Sequence, residues 1–371
     1  MGVAEIGRGR DGSGVTVAST SGRRRSARVA TILALLAGTL FPVHTTSAAM
    51  ADKSGALPLP GVNLPSGSFG SDGDVLGRDY IYPTRADIDA WAAQGFKLIR
   101  LGFLGRRLLK PDGSGGFNTT ADLDILVDLV DYASTKDMSV ILDMHDYGKT
   151  ASGKLIGRDE GAVAEFAAAW RKLAEAMKHR ANVIFGLMNE PHEQSAAEWL
   201  DGANAAIAAI RDVGAYQLVL VPGSYWGGAH DWTKTDNATV MLQVDDPARN
   251  VAYEVHQYLD YNSSGTHRTV VAGAGAQRLA AFTAWARAHG VRGFLGEFGW
   301  ADNRQAQREG RALLCYMARN RDVWLGWTYW AAGPWWGDYM FSIEPKDGAA
   351  RPQMAVLGKF VGPTVPPDCA S

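Results

Sequence analysis

From position 61 onward, short runs rich in β-branched, aromatic and other apolar residues alternate with longer stretches whose apolar positions recur every three to four residues. The short runs cover 61–64, 98–103, 140–145, 183–189, 218–222, 251–258, 293–298 and 324–330, and each is predicted to be a strand. Between them, 122–133 places Leu123, Leu126, Val127 and Val130 on one helical face, and 160–179, 196–212, 276–289 and 303–320 repeat that pattern. Eight strands alternating with helices over about 300 residues predict an α/β protein with a parallel sheet, closed into a (β/α)₈ TIM barrel as a single domain. An open doubly wound sheet would carry a phosphate-binding glycine turn after a strand. The G-x-G-x-x-G at Gly7, Gly9 and Gly12 has no strand before it, so it does not support that alternative.

In a barrel of this kind, chemistry belongs at the C-terminal ends of the strands. Those ends are polar here. The second run carries Arg100, the third ends in Asp143 and His145, and the fourth in Asn189-Glu190-Pro191-His192. The sixth carries Glu254, His256 and Tyr258, the seventh ends in Gly296-Glu297-Phe298-Gly299, and the eighth in Thr328-Tyr329-Trp330. Alternation puts Glu254, His256 and Tyr258 on one strand face, able to point together into the barrel mouth.

The part of the chain before the barrel pattern differs in character. Arg23, Arg24, Arg25 and Arg28 precede an apolar run from Val29 to Leu40, which is followed by Pro42 and by Ala49-Met50-Ala51, an A-x-A cleavage pattern. Residues 1–51 are therefore expected to be a leader and signal peptide, with the run too short for a membrane span, and residues 52–371 the exported catalytic domain. With 46% hydrophobic and 20% charged residues and a net charge of −2, the chain has the balance of a globular protein that can bury a full core. No run of interleaved basic and aromatic residues suggests a nucleic-acid or membrane partner, and a soluble monomer is expected. The two cysteines, Cys315 and Cys369, are an even count in an exported chain and so could pair. Without C-x-x-C or H-E-x-x-H, no metal or cofactor is expected.

One inward glutamate is commonly a buried ion-pair partner. Two at the mouths of the fourth and seventh strands, surrounded by His, Tyr, Arg and Trp, point to chemistry. Paired carboxyls across a cleft are what glycoside hydrolysis needs: one protonates the leaving oxygen, and the other attacks the anomeric carbon or activates water. Nearby Arg and His would keep one ionised, while a less polar pocket would favour the protonated form of the other.

The segments LIRLGF, LDMHDY, FGLMNEPH, YEVHQYLD, LGEFG and GWTYWAAGPWWGDY resemble those of glycoside hydrolase family 5, and in particular its fungal endo-β-1,4-glucanases. The resemblance extends from Gly61 to about Leu357, and N-E-P followed by G-E-F-G in this order is its most specific signal. It implies a TIM-barrel endo-β-1,4-glucanase (cellulase) that cleaves internal bonds of a β-glucan with retention, is secreted, and uses Glu190 as acid/base and Glu297 as nucleophile. It also implies that Asn189 holds the sugar 2-hydroxyl, that Tyr258 and Arg100 support the nucleophile, that His145 and His256 line the site, and that Trp330 floors it. The chain lacks a cysteine often found after YEVHQYLD in the fungal relatives.

Sugar faces are apolar and stack on indoles. Trp226 and Trp232 after the fifth strand, and Trp335 and Trp336 after the eighth, are the expected platforms, whereas Trp91, Trp170, Trp199 and Trp285 on helices are expected in the core. Two alternatives stay open: the same mechanism on mannan, xyloglucan or mixed-linkage glucan, and a non-catalytic carbohydrate-binding protein, for which an intact glutamate pair has no use. The export signal makes a direct prediction. N-terminal sequencing of the protein recovered from the medium should begin at Asp52, and recovery of an intact leader would remove the signal assignment.

Overall fold

Eight parallel strands close on themselves in a computed structural model that describes residues 57–369. They are β1 (Leu59–Leu64), β2 (Leu98–Phe103), β3 (Ser139–Met144), β4 (Val183–Gly186), β5 (Val219–Pro222), β6 (Val251–His256), β7 (Gly293–Glu297) and β8 (Trp324–Tyr329). Each pairs with its sequence neighbours, and β1 closes the ring against β8 through Leu59↔Gly326 to Val62↔Tyr329. This is the (β/α)₈ barrel that the alternation predicts. The leader and cleavage pattern lie outside the described residues. No helix among the described residues is long and apolar enough to cross a membrane.

Among the described residues, six helices of nine residues or more cover the outside: α1 (Arg85–Ala93), α2 (Ala121–Ser134), α3 (Ala162–Met177), α4 (Ala196–Asp212), α5 (Ala274–Ala288) and α6 (Arg304–Arg319). Local signals set their starts. Thr84 and Asp87 form a reciprocal capping box at α1, and Ser195 and Glu198 form another at α4, where Glu198 accepts the Ser195 backbone N–H at 2.7 Å. After β5 no full helix forms. Short turns from Tyr225 to Gln243 fill that place, and they bring loop residues to the barrel mouth. A small hairpin, Leu109–Pro111 with Phe117–Thr119, lies between β2 and α2 and has no counterpart among the predicted strands.

The barrel lumen is layered by strand alternation. Leu98, Ile141, Ile184, Leu220, Ala252 and Phe294 form one apolar plug, all nearly or fully buried. Two residues further along three of these strands the inward side chains become charged: Arg100 on β2, Asp143 on β3 and Glu254 on β6. A second, larger core packs the helices on the barrel, and it includes Trp91, Trp170, Trp199 and Trp285 as well as Trp232. Three N-x-[ST] sequons stand at Asn118, Asn237 and Asn262, and of these Asn237 is fully buried with its amide bonded to the Ser224 backbone, so the folded chain hides it from modification.

Cys315 on α6 and Cys369 are disulfide-bonded with Cα atoms 5.1 Å apart, and the Arg319 guanidinium donates to the Cys369 carbonyl at 3.0 Å. The bridge closes a loop between residues 54 apart in sequence and pins the tail to α6. Alkylation without reductant should therefore leave both sulfurs unmodified, and Cys369→Ser should cost about 2 to 4 kcal/mol of stability. An unchanged denaturant midpoint in that variant would show that the tail adds nothing.

Candidate active site

Arg100 is the centre of the polar layer. Its guanidinium is 1% exposed and meets three carboxylates: Glu297 Oε1 at 2.9 Å, Asp143 Oδ1 at 3.1 Å and Glu254 Oε1 at 3.1 Å. It also donates to Asn63 Oδ1 at 3.0 Å and to Asn189 Oδ1 at 2.9 Å. Burial works against its charge, but the carboxyls of Asp143, Glu254, Glu297 and Glu190 outweigh that cost and raise its pKa further. Asp143 answers in kind: burial pushes its carboxyl up, yet Arg100 and His145 hold it below the usual range.

Glu297 stands at the end of β7, where the register against β6 shifts between Val255↔Leu295 and His256↔Glu297. The extra residue is Gly296, and the bulge turns Glu297 into the lumen although plain alternation would point it outward. A Cβ at Gly296 would lie 1.9 Å from Glu254 Oε1, so only glycine fits beside that carboxylate. Both oxygens of Glu297 are engaged, Oε1 by Arg100 and Oε2 by the Tyr258 hydroxyl at 2.8 Å. Burial and then the Glu297 charge drive the Tyr258 pKa well up, so that hydroxyl keeps its proton and donates.

Glu190 lies just beyond β4, held at φ +44° in the left-handed region, a conformation that costs about 1 to 3 kcal/mol and gathers at functional sites. Its side chain is 18% exposed, and Oε1 lies 2.7 Å from His256 Nδ1. His256 bridges the cluster, with Nε2 3.4 Å from Glu254 and Nδ1 3.7 Å from Glu297 Oε2. Burial disfavours the imidazolium, but Glu297, Glu190 and Glu254 override it and carry its pKa up to about 10. One oxygen of each glutamate and a His256 nitrogen lie within 4.8 Å of one another, a spacing that could hold a metal ion. Arg100 and the protonated His256 already supply the positive charge there and would repel a divalent cation.

The remaining predicted side chains close around this pair. His145 donates from Nδ1 to Asp143 at 2.7 Å, leaving Nε2 near the Tyr147 hydroxyl at 3.3 Å. Trp330 lies parallel to the His145 ring, 13° from coplanar at 6.2 Å, and Trp336 packs against it edge-on at 5.1 Å. Trp335 is 41% exposed beside Phe69, and Trp226, 54% exposed, stacks on His192 at 4.4 Å. Arg100, His145, Asn189, Glu190, His256, Tyr258, Glu297 and Trp330 thus stand at one end of the barrel.

The chain matches the sequence model of Cellulase (glycosyl hydrolase family 5) over residues 52–333. It belongs to that family. Endo-β-1,4-glucanase A of Emericella nidulans is 37% identical over 329 residues, covering 87% of this chain and 98% of the relative. A crystal structure of an endo-β-1,4-glucanase from Xanthomonas axonopodis pv. citri is 40% identical with a TM-score of 0.78, covering 82% of this chain and 98% of that one. The Pseudomonas stutzeri endoglucanase solved with cellobiose is 34% identical with a TM-score of 0.74, covering 84% and 94%.

Three sequence expectations change within this family 5 site. Trp232 is not a platform: it is fully buried among Tyr253, Phe282 and Trp285, because the turn after β5 folds it against α5. The strand predicted over 183–189 ends at Gly186, so Asn189 and Glu190 belong to the following turn. Nor does Glu190 sit in a less polar pocket, since its neighbour is an imidazolium. Asn63 has no place among the predicted site residues. It ties Arg100 to the carbonyls of Gly296 and Thr328, at 3.0 and 3.1 Å, and an asparagine at a strand end carries no motif that would mark it.

The raised pKa of His256 links the site to stability. A proton held more tightly in the folded state stabilises fully below the unfolded value of about 6.5 and is lost as pH rises through about 10. Between those limits wild-type stability should fall with pH relative to His256→Gln, by up to about 1.4 kcal/mol per unit. Parallel urea-midpoint profiles for the two proteins would show that His256 is not held charged.

Proposed function

We propose that the protein is an endo-β-1,4-glucanase that acts by double displacement with retention, with Glu297 as nucleophile and Glu190 as acid/base. The observation that supports this most directly is the approach of the two carboxyls, with oxygens within 4.8 Å of each other beside His256. Retaining enzymes hold their carboxyls about 5 to 5.5 Å apart, whereas inverting ones leave about 6.5 to 9.5 Å for a water. The endo-β-1,4-glucanase names of relatives from both fungi and bacteria support a β-glucan substrate.

In the first step Glu190 gives its proton to the glycosidic oxygen as Glu297 attacks the anomeric carbon, and a glycosyl ester forms as the leaving sugar departs. Glu297 is prepared for attack because Arg100 and Tyr258 hold both of its oxygens in place. Once Glu190 has given up its proton, the imidazolium of His256 compensates its negative charge at 2.7 Å. In the second step Glu190 takes a proton from water, which attacks the same carbon and frees Glu297. With its Oδ1 committed to Arg100, Asn189 has its amide N–H groups left to donate to the 2-hydroxyl of the sugar under attack. Trp330 forms the floor beneath that sugar, and the exposed indoles of Trp226 and Trp335, with the half-buried Trp336, extend the groove.

The two glutamates should fail differently. Glu297→Ala should be inactive on every substrate. Glu190→Ala should lose polymer cleavage but still form the glycosyl-enzyme from an activated aryl cellobioside, and azide should then rescue turnover to give a β-azide product. An α-configured first product, or an active Glu297→Ala enzyme, would overturn the mechanism. On soluble polysaccharides, carboxymethylcellulose or barley β-glucan should lose viscosity rapidly while mannan is cleaved poorly. Equal turnover of mannan would remove the glucanase specificity while leaving the family intact.

A further inference from the structure

At the end of the barrel opposite Glu190 and Glu297, a separate cleft of about 600 Å³ opens where β6 and β7 begin. Val244, Val251 and Val291 give it an apolar wall, and Arg249, Arg292 and His289 give it a basic one. β6 runs from Val251 at this cleft to His256 beside the carboxyl pair, roughly 17 Å of strand. A ligand held here therefore does not touch the reacting sugar.

Charge in this cleft is unbalanced. Asp246 also lines it, but its carboxylate is fully engaged elsewhere. Its oxygens accept from Arg211 Nε and Nη2 at 2.8 and 3.0 Å, and from the backbone N–H groups of Ala248 and Asn250 at 3.0 and 2.7 Å. Arg211 thus compensates Asp246 and leaves nothing for the other two arginines. Neither Arg249 nor Arg292 is in an ion pair among the described residues.

Arg292 is half-buried. Its Nη2 donates to the Val251 carbonyl at 3.2 Å and to Asn250 Oδ1 at 3.4 Å, while Nη1 is sealed from solvent without a partner among the described residues. Burial pulls its pKa down, and no carboxylate raises it again. A cation withdrawn from water among neutral groups alone is costly until an anion completes it. Arg249 is exposed at φ +50°, a left-handed conformation rare outside glycine, at the turn that Asp246 caps. His289 follows α5 with its ring against Trp285 at 5.6 Å, and it adds a further N–H to the basic side.

Guanidinium groups take oxyanions, carboxylates above all, through paired N–H donors. The space is far larger than a bare inorganic ion needs and falls in the range of small-molecule sites. Its valine wall suits the C–H face of a sugar ring. We propose that this cleft is a second ligand site, for an acidic sugar: a hexuronate unit with its carboxylate on Arg249 and Arg292 and its ring against Val244, Val251 and Val291. Filled by one unit of an acidic polysaccharide, it holds the protein to that polymer while the catalytic groove stays open. The site does not depend on the endoglucanase reading, because its occupancy is read without turnover.

Isothermal titration of the protein with sodium glucuronate at physiological ionic strength tests this. Glucuronate should bind at least about tenfold more tightly than glucose, and equally well with and without saturating cellobiose. Arg249→Gln and Arg292→Gln should each weaken glucuronate about tenfold, the low end of what a hydrogen bond to a charged group contributes. Arg249→Gln, at an exposed position, should keep the wild-type urea midpoint, so its lost affinity cannot be unfolding. That variant decides the matter even where Arg292→Gln does not fold. Unchanged affinity in Arg249→Gln, equal binding of glucose, or displacement of glucuronate by cellobiose overturns the site. Inorganic phosphate that displaces glucuronate at equal concentration overturns the acidic-sugar assignment, since the arginines would then take any small anion.

Discussion

A single buried guanidinium organises this protein. Taking Arg100 out of water carries a desolvation cost of several kcal/mol, which is met only where carboxylates surround it closely and the remaining donors find acceptors. Asp143, Glu254 and Glu297 supply the charge, while Asn63 and Asn189 take further N–H groups. These partners come from β1, β3, the turn after β4, β6 and β7, so the charge can be satisfied only when the barrel is closed. The same constraint delivers function, because every group that Arg100 gathers is either one of the two proposed catalytic carboxyls' supports or Glu297 itself.

The cluster also explains where strain is tolerated. Glu190, Tyr147, Tyr225 and Trp226 all have positive φ, and all stand at the mouth of the barrel rather than in its wall. Below them the apolar plug of Leu98, Ile141 and Phe294 is regular strand, and each of those side chains follows plain alternation. The layer of charge above that plug is anchored downward by strand geometry and upward by hydrogen bonds.

Much of this was legible in the residues. Glu254, His256 and Tyr258 share a face by alternation, and the structure places all three in the lumen. The eight strands and the long helices follow their apolar periods, with α4 found at its predicted bounds. What could not be read depends on contacts distant in sequence. The inward turn of Glu297 needs the bulge at Gly296, which exists only because β6 pairs beside it. Asn63 matters only because β1 meets β8. Trp226 and Trp232 lie on one loop with the same local chemistry, yet one is turned out by a left-handed pair and the other is buried by Tyr253, Phe282 and Trp285. Residue type identified both as aromatic, and packing alone separated them.

The separation of labour that results bears on how such a site can change. Charge placement is locked into the strands, where altering one member leaves others buried without partners, a loss of about 3 to 5 kcal/mol for a broken buried pair. The indoles proposed to contact sugar come instead from loops after β5 and β8, where Trp226, Trp335 and Trp336 are all partly exposed. Among the described residues, the β5 loop meets the turn after β4 and the end of β6 through backbone hydrogen bonds, Trp226 to Pro191 and Ala229 to His256. Backbone contacts are indifferent to side-chain identity. The loop can therefore exchange the groups it offers to a polysaccharide while its position relative to Glu190 stays fixed, and substrate preference can move without disturbing the arginine-centred network on which the chemistry rests.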